Sequence, residues 1–490
     1  MIGKFKYILI LLLVMITGRL SAQNSQVLYY MNLPQNHLLN PALRPSNSLY
    51  IGLPVFSGIN VNINNNFINF SDVFMKGQRS DSVISVLHSD NNIDDFLAKI
   101  KDNNSLEAEA SVQLFGLGFS VGKSSYVFLD INDRIDGNMV IPKDIFELAL
   151  KGNEGFVGST IDLSSLRGDM KYYREVGLGF SKDFTSKLRI GIKGKLLFGI
   201  AAAAIDNRSL GIAVHEDYSH ALNADMTVNI SAPLKVYMDS NHNIDSIVYD
   251  KKLTDTRSEK IGYILGKKNI GVAFDIGATY AISGKFIVSA AITDLGFIKW
   301  KKDINNLKAE SQFEFSGLNI NDVLNGTKTL EDVGQEMLDS LGNSFKFSDT
   351  KAPFTTYLPF GVSLGGSYNL TKSLSIGLLS YSRFIGDQIR ESLTVSANVN
   401  LGNAFSTSLS YTAANYRYDN FGAGLAFRPG IFQFYILADR IPIMWNKIKV
   451  DNSTIPLPDS WNTINLRFGM NLAFGNRIRK KNDKPMVEVE

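Results

Sequence analysis

Ile464-Asn465-Leu466-Arg467-Phe468-Gly469-Met470-Asn471-Leu472-Ala473-Phe474-Gly475 alternates from end to end. Ile464, Leu466, Phe468, Met470, Leu472 and Phe474 are large and apolar, whereas Asn465, Arg467, Gly469, Asn471, Ala473 and Gly475 include no large apolar side chain. Successive side chains of a strand point to opposite faces, so the stretch reads as a strand with one wholly apolar face and one small or polar face. A strand that carries lipid on one side and a wet lumen on the other has this pattern.

Working back along the chain, the pattern recurs. Leu393, Val395, Ala397, Val399 and Leu401 oppose Thr394, Ser396, Asn398 and Asn400, while Phe405, Leu409 and Tyr411 oppose Ser406, Ser408 and Ser410. Gly402-Asn403 lies between these two stretches, and both residues tolerate the positive φ of a tight hairpin turn. Further back, Leu188, Ile190, Ile192, Leu196 and Phe198 oppose Arg189, Gly191, Lys193, Lys195 and Gly199, with Leu197 a misfit on the second face. Cations on that face are tolerable only where it is wet. The lumen-facing candidates are therefore Arg189, Lys193, Lys195, Asn398, Asn400, Asn465, Arg467 and Asn471.

Further strands are expected to start near Val176, Gly271, Lys285, Leu374, Phe421 and Phe432, with Ser283-Gly284 as another two-residue turn signal. At about 9 to 11 residues per tilted strand plus turns, the chain has room for roughly 14 strands, in a range of about 12 to 16. The expected fold is all-β, a closed transmembrane antiparallel β-barrel with short helices in loops or a plug. Wall side chains alone do not fill a lumen of that size, so water or a plug occupies it. Two stretches have helical rather than strand spacing. One is Asp81 to Lys101, with Ile84, Leu87, Phe96, Leu97 and Ile100; the other is Thr329 to Leu341, with Leu330, Val333, Met337 and Leu341. Both read as amphipathic helices, favoured as covers of the barrel mouth. The segment from Gln23 to Asn66 is the other candidate occupant of the lumen.

At the start of the chain, Lys4 and Lys6 flank an apolar run from Tyr7 to Ile16, followed by Leu20-Ser21-Ala22. That order reads as a cleavable signal peptide over 1–22, with the barrel over 23–476. The run of about 10 apolar residues is too short for a helical span. Arg477, Arg479, Lys480, Lys481 and Lys484 make 477–490 a basic tail on the periplasmic side, read as a solvated end.

Composition excludes several classes. The 490-residue chain contains no cysteine, so no disulfide framework and no thiol nucleophile is available. A net charge of +3 spread along the chain argues against a nucleic-acid groove. Aromatic residues reach 11%, enough for interfacial girdles. Chemical motifs are sparse. Asp239, Asn241, Asn243 and Asp250 fall at positions 1, 3, 5 and 12 of a calcium loop, but Ile244 stands where the turn wants glycine and Asp250 replaces the bidentate Glu. A polar strand connection is the favoured reading. His215 and His220 point to opposite faces of a strand. Glu107 and Glu109 share one face, where carboxylates lining a wet interior are commoner than an acid–base pair. No cofactor and no enzymatic activity are expected.

Asn40-Pro41-Ala42, Gly52-Leu53-Pro54, the run from Gly365 to Thr371 and the closing strand from Asn465 to Gly475 resemble the DUF5723 outer-membrane barrels of Bacteroidetes. More distantly the chain is similar to the long-chain fatty-acid transporter family and to barrels associated with type IX secretion, which carry a comparable Asn-Pro-Ala element. The resemblance implies an outer-membrane location and a barrel architecture. It departs at the C-terminus, where Phe474 is followed by more chain rather than by the aromatic end of many such barrels. The expected function is a channel or carrier for small or hydrophobic molecules, in contact with outer-membrane lipid. The alternative is a non-conducting barrel that docks other envelope proteins.

Overall fold

Each alternating stretch quoted above forms a strand. The protein is seen in a computed structural model that describes residues 26–76, 83–85, 88, 92–217, 219–238, 244–250, 256–264, 269–315, 347–414, 417–443, 445–450, 453–458 and 462–475. The signal-peptide stretch, the expected helix from Thr329 to Leu341, the tail over 477–490, and Asp239, Asn241 and Asn243 lie outside the described residues.

The wall is made of β1 in two pieces (Leu49–Gly52 and Ile59–Asn65), β2 (Asn103–Val121), β3 (Ser125–Pro142), β4 (Arg167–Asp183), β5 (Leu188–Val214), β6 (Asn269–Ala281) and β7 (Phe286–Trp300). It continues through β8 (Phe360–Asn369), β9 (Leu374–Ile385), β10 (Gln388–Leu401), β11 (Phe405–Ala414), β12 (Arg417–Phe427), β13 (Phe432–Ile441) and β14 (Thr463–Phe474). Each strand pairs antiparallel with the next. Both pieces of β1 pair with β14 on one side and β2 on the other, which closes a 14-strand barrel and leaves no free edge in the wall.

Exposure follows the alternation. On β11 Leu409 is 64% exposed and Ser408 0%; on β4 Leu178 is 61% exposed and Glu175 1%. Leu178, Ile192, Leu196, Phe274, Leu409 and Ile436 all point outward, forming the apolar band that a bilayer requires. On the outer face of β3 and β4, Asp133 accepts hydrogen bonds from Arg174 Nε and Nη2 at 2.7 and 2.8 Å. Leu197, the misfit, is buried inside with Tyr173, Ile298, Trp300 and Leu358, so this sector of the interior is apolar rather than wet.

One end of the barrel carries connections of three or four residues between consecutive strands. Three of them share a device: the hydroxyls of Thr185, Ser283 and Thr371 each accept backbone N–H groups two and three residues on, at 2.9 to 3.3 Å. The two-residue turns expected at Gly402-Asn403 and Ser283-Gly284 are therefore longer than anticipated. Leu401 pairs with Phe405, and of the first dipeptide only Gly402 takes a positive φ, 57°.

The opposite, loop end is elaborated. β5 runs for 27 residues, far beyond the 9 to 11 that cross a bilayer, and its outer half pairs with the strand His220–Ser231, which pairs in turn with Ile304–Phe315. Strands expected near Val176 and Phe421 begin at Arg167 and Arg417 because the parts beyond the membrane band are rich in charge and glycine and show no lipid-facing pattern. The helix expected over Asp81 to Lys101 is a correction. Val83–Ser85 is a strand paired with Phe74–Lys76, and among the described residues of the stretch the helical ones are Ile93–Leu97, started by the Asn92 cap. Phe96, Leu97 and Ile100 pack with Phe146 and Leu150 from a second helix, Lys143–Lys151, which sequence periodicity did not single out.

Candidate functional site

The wall begins at Leu49, so the chain from Gln26 to Ser48 is not part of it. This segment is threaded through the lumen. It contains two short 3-10 turns, Val27–Tyr30 and Pro34–Leu38, and Val27, Leu28, Met31 and Leu33 pack on Ala426, Tyr435 and Leu437 of the inner wall. The turns satisfy part of the segment's backbone internally, as in Tyr29 N to the Gln26 carbonyl and Asn36 N to the Leu33 carbonyl, and further polar groups bond to the wall. Val27 N donates to Asp439 Oδ1 at 2.7 Å, Tyr30 Oη donates to the carbonyls of Gly366 and Leu378 at 3.0 and 2.7 Å, and Gln35 Nε2 donates to Asn471 Oδ1 at 2.8 Å. His37 Nε2 lies 2.7 Å from Asp130 Oδ2. Near the turn end, Arg44 donates to Ser181 Oγ at 2.7 Å, the Ser124 carbonyl at 2.9 Å and Asp183 Oδ2 at 3.2 Å.

Asn40-Pro41-Ala42 is the tightest part of this contact. Asn40 Oδ1 accepts from Ala42 N at 2.9 Å, folding the tripeptide on itself, and the result lies flat against two wall glycines. A Cβ at Gly191 would fall 2.2 Å from the Pro41 carbonyl, and one at Gly277 would fall 2.1 Å from Asn40 Oδ1. Gly52-Leu53-Pro54 marks the break between the two pieces of β1. Pro54 cannot donate to a ladder, and the bulge brings Ser57 inward, where its hydroxyl donates to the Met470 carbonyl at 2.7 Å.

On the loop-end side of the segment the lumen is crossed by ion pairs. Arg134 of β3 donates to Asp294 of β7 at 3.0 Å and to Glu175 of β4 at 3.1 Å. Glu109 and Glu107 of β2 are paired with Arg383 of β9 and Arg390 of β10. Those strands lie on opposite sides of a 14-strand ring, so the side chains bridge the interior. Between the bridges and the segment is a cavity of about 90 Å³ lined by Gln35, Leu39, Asn60, Glu109, Asp136, Glu175, Lys195, Asp294 and Arg467, among others.

The lumen-facing candidates are all placed on inner-face positions, but they do not form one site. Lys193 lies 2.9 Å from Glu175 and 3.2 Å from Asp130; Lys195 lies 2.7 Å from Asp275 and also pairs with Asp294. Arg467 is buried at the cavity, and Asn465 is buried beside Asn62 of β1. Asn471 holds the segment through Gln35. Asn398 and Asn400 accept from Ser408 and Ser406 at 2.7 and 2.6 Å in the β10–β11 wall, and Arg189 lies 2.6 Å from Asp183 near the turn end. Of the calcium-loop candidates, Asp250 is described and pairs with Lys235 at 3.3 Å. Among the described residues no group of three or more His, Asp or Glu side chains is placed to hold a metal. Sequence reasoning missed Asp130, Arg134, Glu175, Asp275, Asp294, Arg383 and His37. Asp130-Ile131-Asn132-Asp133-Arg134-Ile135-Asp136 carries polar residues on both faces, which hid the inner row.

A closed antiparallel wall, apolar outside and polar within, defines a transmembrane β-barrel of the outer-membrane type. Within that class the chain belongs to DUF5723, described as a family of unknown function, which matches residues 41–439. Among curated proteins none matches the sequence. Similar solved structures include the Ralstonia pickettii toluene transporter TbuX, at 8% identity over 91% of this chain and 95% of that one, with a TM-score of 0.40. A Pseudomonas aeruginosa FadL homologue is 10% identical over 93% and 97%, with a TM-score of 0.41. The Pseudomonas putida toluene transporter TodX is 9% identical over 93% and 98%, with a TM-score of 0.37.

Proposed function

We propose that the protein is a gated channel or carrier for small molecules in the outer membrane, with lipid around its apolar band and its short turns facing the periplasm. The observation that carries this reading is a lumen filled by a chain segment that the wall does not need. The ladder closes through β1 and β14 without residues 26–48, so the segment can move aside without exposing a strand edge. Its hold on the wall is a set of separate hydrogen bonds, the contacts of His37 and Arg44 with Asp130 and Asp183, and an apolar cluster, contacts that can be broken stepwise. A barrel built only as a scaffold gains nothing from a removable filling.

The test is a reversible lock. A Cβ at Gly424 would lie 2.5 Å from Val27 Cγ1, close enough for a disulfide between Val27→Cys and Gly424→Cys, and the chain has no native cysteine to compete. In proteoliposomes loaded with arabinose, solute flux is expected to stop on oxidation and to return on reduction. Equal flux in both states would mean that the segment does not gate the lumen.

A further inference from the structure

The cavity between the segment and the cross-lumen ion pairs has a chemistry of its own. Its volume of about 90 Å³ is well above the ~10–15 Å³ that a single water needs, and it admits a few waters or a small amino acid. Its walls carry both signs of charge: Glu109, Asp136, Glu175 and Asp294 on the one hand, Arg134, Lys195 and Arg467 on the other. Asn60 lines the same cavity, is 6% exposed, and its Oδ1 has no hydrogen-bond partner. A buried polar atom without a partner in a polar cavity is a place for a ligand atom or water.

We infer that this chamber binds a small zwitterionic solute of amino-acid size, an inference that rests on the channel reading and names its cargo. The bridging charges are already paired with one another. A solute with one charge that enters the chamber takes a partner from one ion and strands another, and a stranded buried ion is strongly unfavourable. An apolar solute displaces water from the charged walls and returns no hydrogen bond to Asn60. A molecule with an ammonium and a carboxylate on neighbouring atoms inserts between an acid and a base of the wall and leaves both paired. The same exchange loosens a cross-lumen bridge, which couples binding to passage.

The experiment is equilibrium dialysis of the full-length protein in detergent against radiolabelled glycine. Saturable binding is expected, displaced by unlabelled glycine but not by acetate, methylammonium or toluene at equal concentration. Asn60→Leu, which fills the chamber and removes the free acceptor, is expected to weaken binding by about tenfold or more. Asn400→Leu, at the turn end and away from the chamber, is expected to leave it unchanged. Heat-dependent gel mobility confirms that each variant is folded, and competition on the unmodified protein stands without any variant. Absence of saturable glycine binding, or equal competition by acetate, methylammonium or toluene, overturns the inference. A barrel that conducts but does not bind glycine overturns this inference alone. One that binds glycine yet stays closed after removal of the segment overturns the channel reading alone.

Discussion

Leu409 and Ser408 are neighbours in sequence that lie in different solvents, one facing the surroundings of the barrel and the other its interior. That difference fixes what each position tolerates. Leu409→Arg, near the middle of β11, places a cation in the apolar band and is expected to cost about 2–4 kcal/mol, read as a lower urea midpoint for the protein refolded in lipid vesicles. An unchanged midpoint would mean that this face is not in lipid. At Gly191 the constraint comes from inside, because the nearest atoms to a new Cβ belong to Pro41 and Ala42 of the segment and not to the wall. Gly191→Val is therefore expected to dislodge the segment while the barrel survives. Chymotrypsin should then cut sooner after Leu43, whose neighbour Arg44 is now held by Ser181 and Asp183, while heat-dependent gel mobility stays as in the unmodified protein. If cleavage is no faster, the segment is not seated on Gly191.

Among the elements, the pairing of β2 with β9 and β10 through side chains sets the width of the interior. Removing one member of a buried pair leaves the other without a partner, so Arg383→Met is expected to destabilise the barrel by about 3–5 kcal/mol. Adding Glu109→Met should recover most of that loss in the same unfolding assay, since an apolar pair leaves no stranded charge; no recovery would mean that the bridge is not the source of the effect. The strands themselves were legible from alternation because lipid and lumen impose opposite demands on adjacent residues, as at Ile464 to Phe474. What the sequence concealed lies where that demand lapses. The loop-end half of β5, the paired strands from Val83 and from His220, and the helix Lys143–Lys151 are outside the membrane band, where lipid and lumen no longer impose alternation; the strand from His220 also pairs with Ile304–Phe315, and the helix packs on Phe96, Leu97 and Ile100, partners distant in sequence. The inner charges were legible as a type but not as pairs: Lys193 and Lys195 announce a polar face, whereas their partners Asp130, Asp275 and Asp294 come from three other strands.

For the molecule as a whole, closure and filling are separate properties. Fourteen strands close the wall, and the interior is then occupied first by residues 26–48 and, toward the loop end, by the bridging ions. Asn40-Pro41-Ala42 was visible as a motif from the start, but only the wall glycines opposite it reveal that it is a seat for the segment. The first wall strand also bounds any truncation: removing Gln23 to Asn66 would take both pieces of β1 with it and open the barrel between β2 and β14. The deletion that leaves the wall whole is 26–46. Conductance across a planar bilayer, compared between the intact protein and that variant, tests the central claim most directly. Brief, intermittent openings of the intact protein and steady ion conductance in the variant are the predicted result; equal conductance in both, or silence in both, would contradict the account.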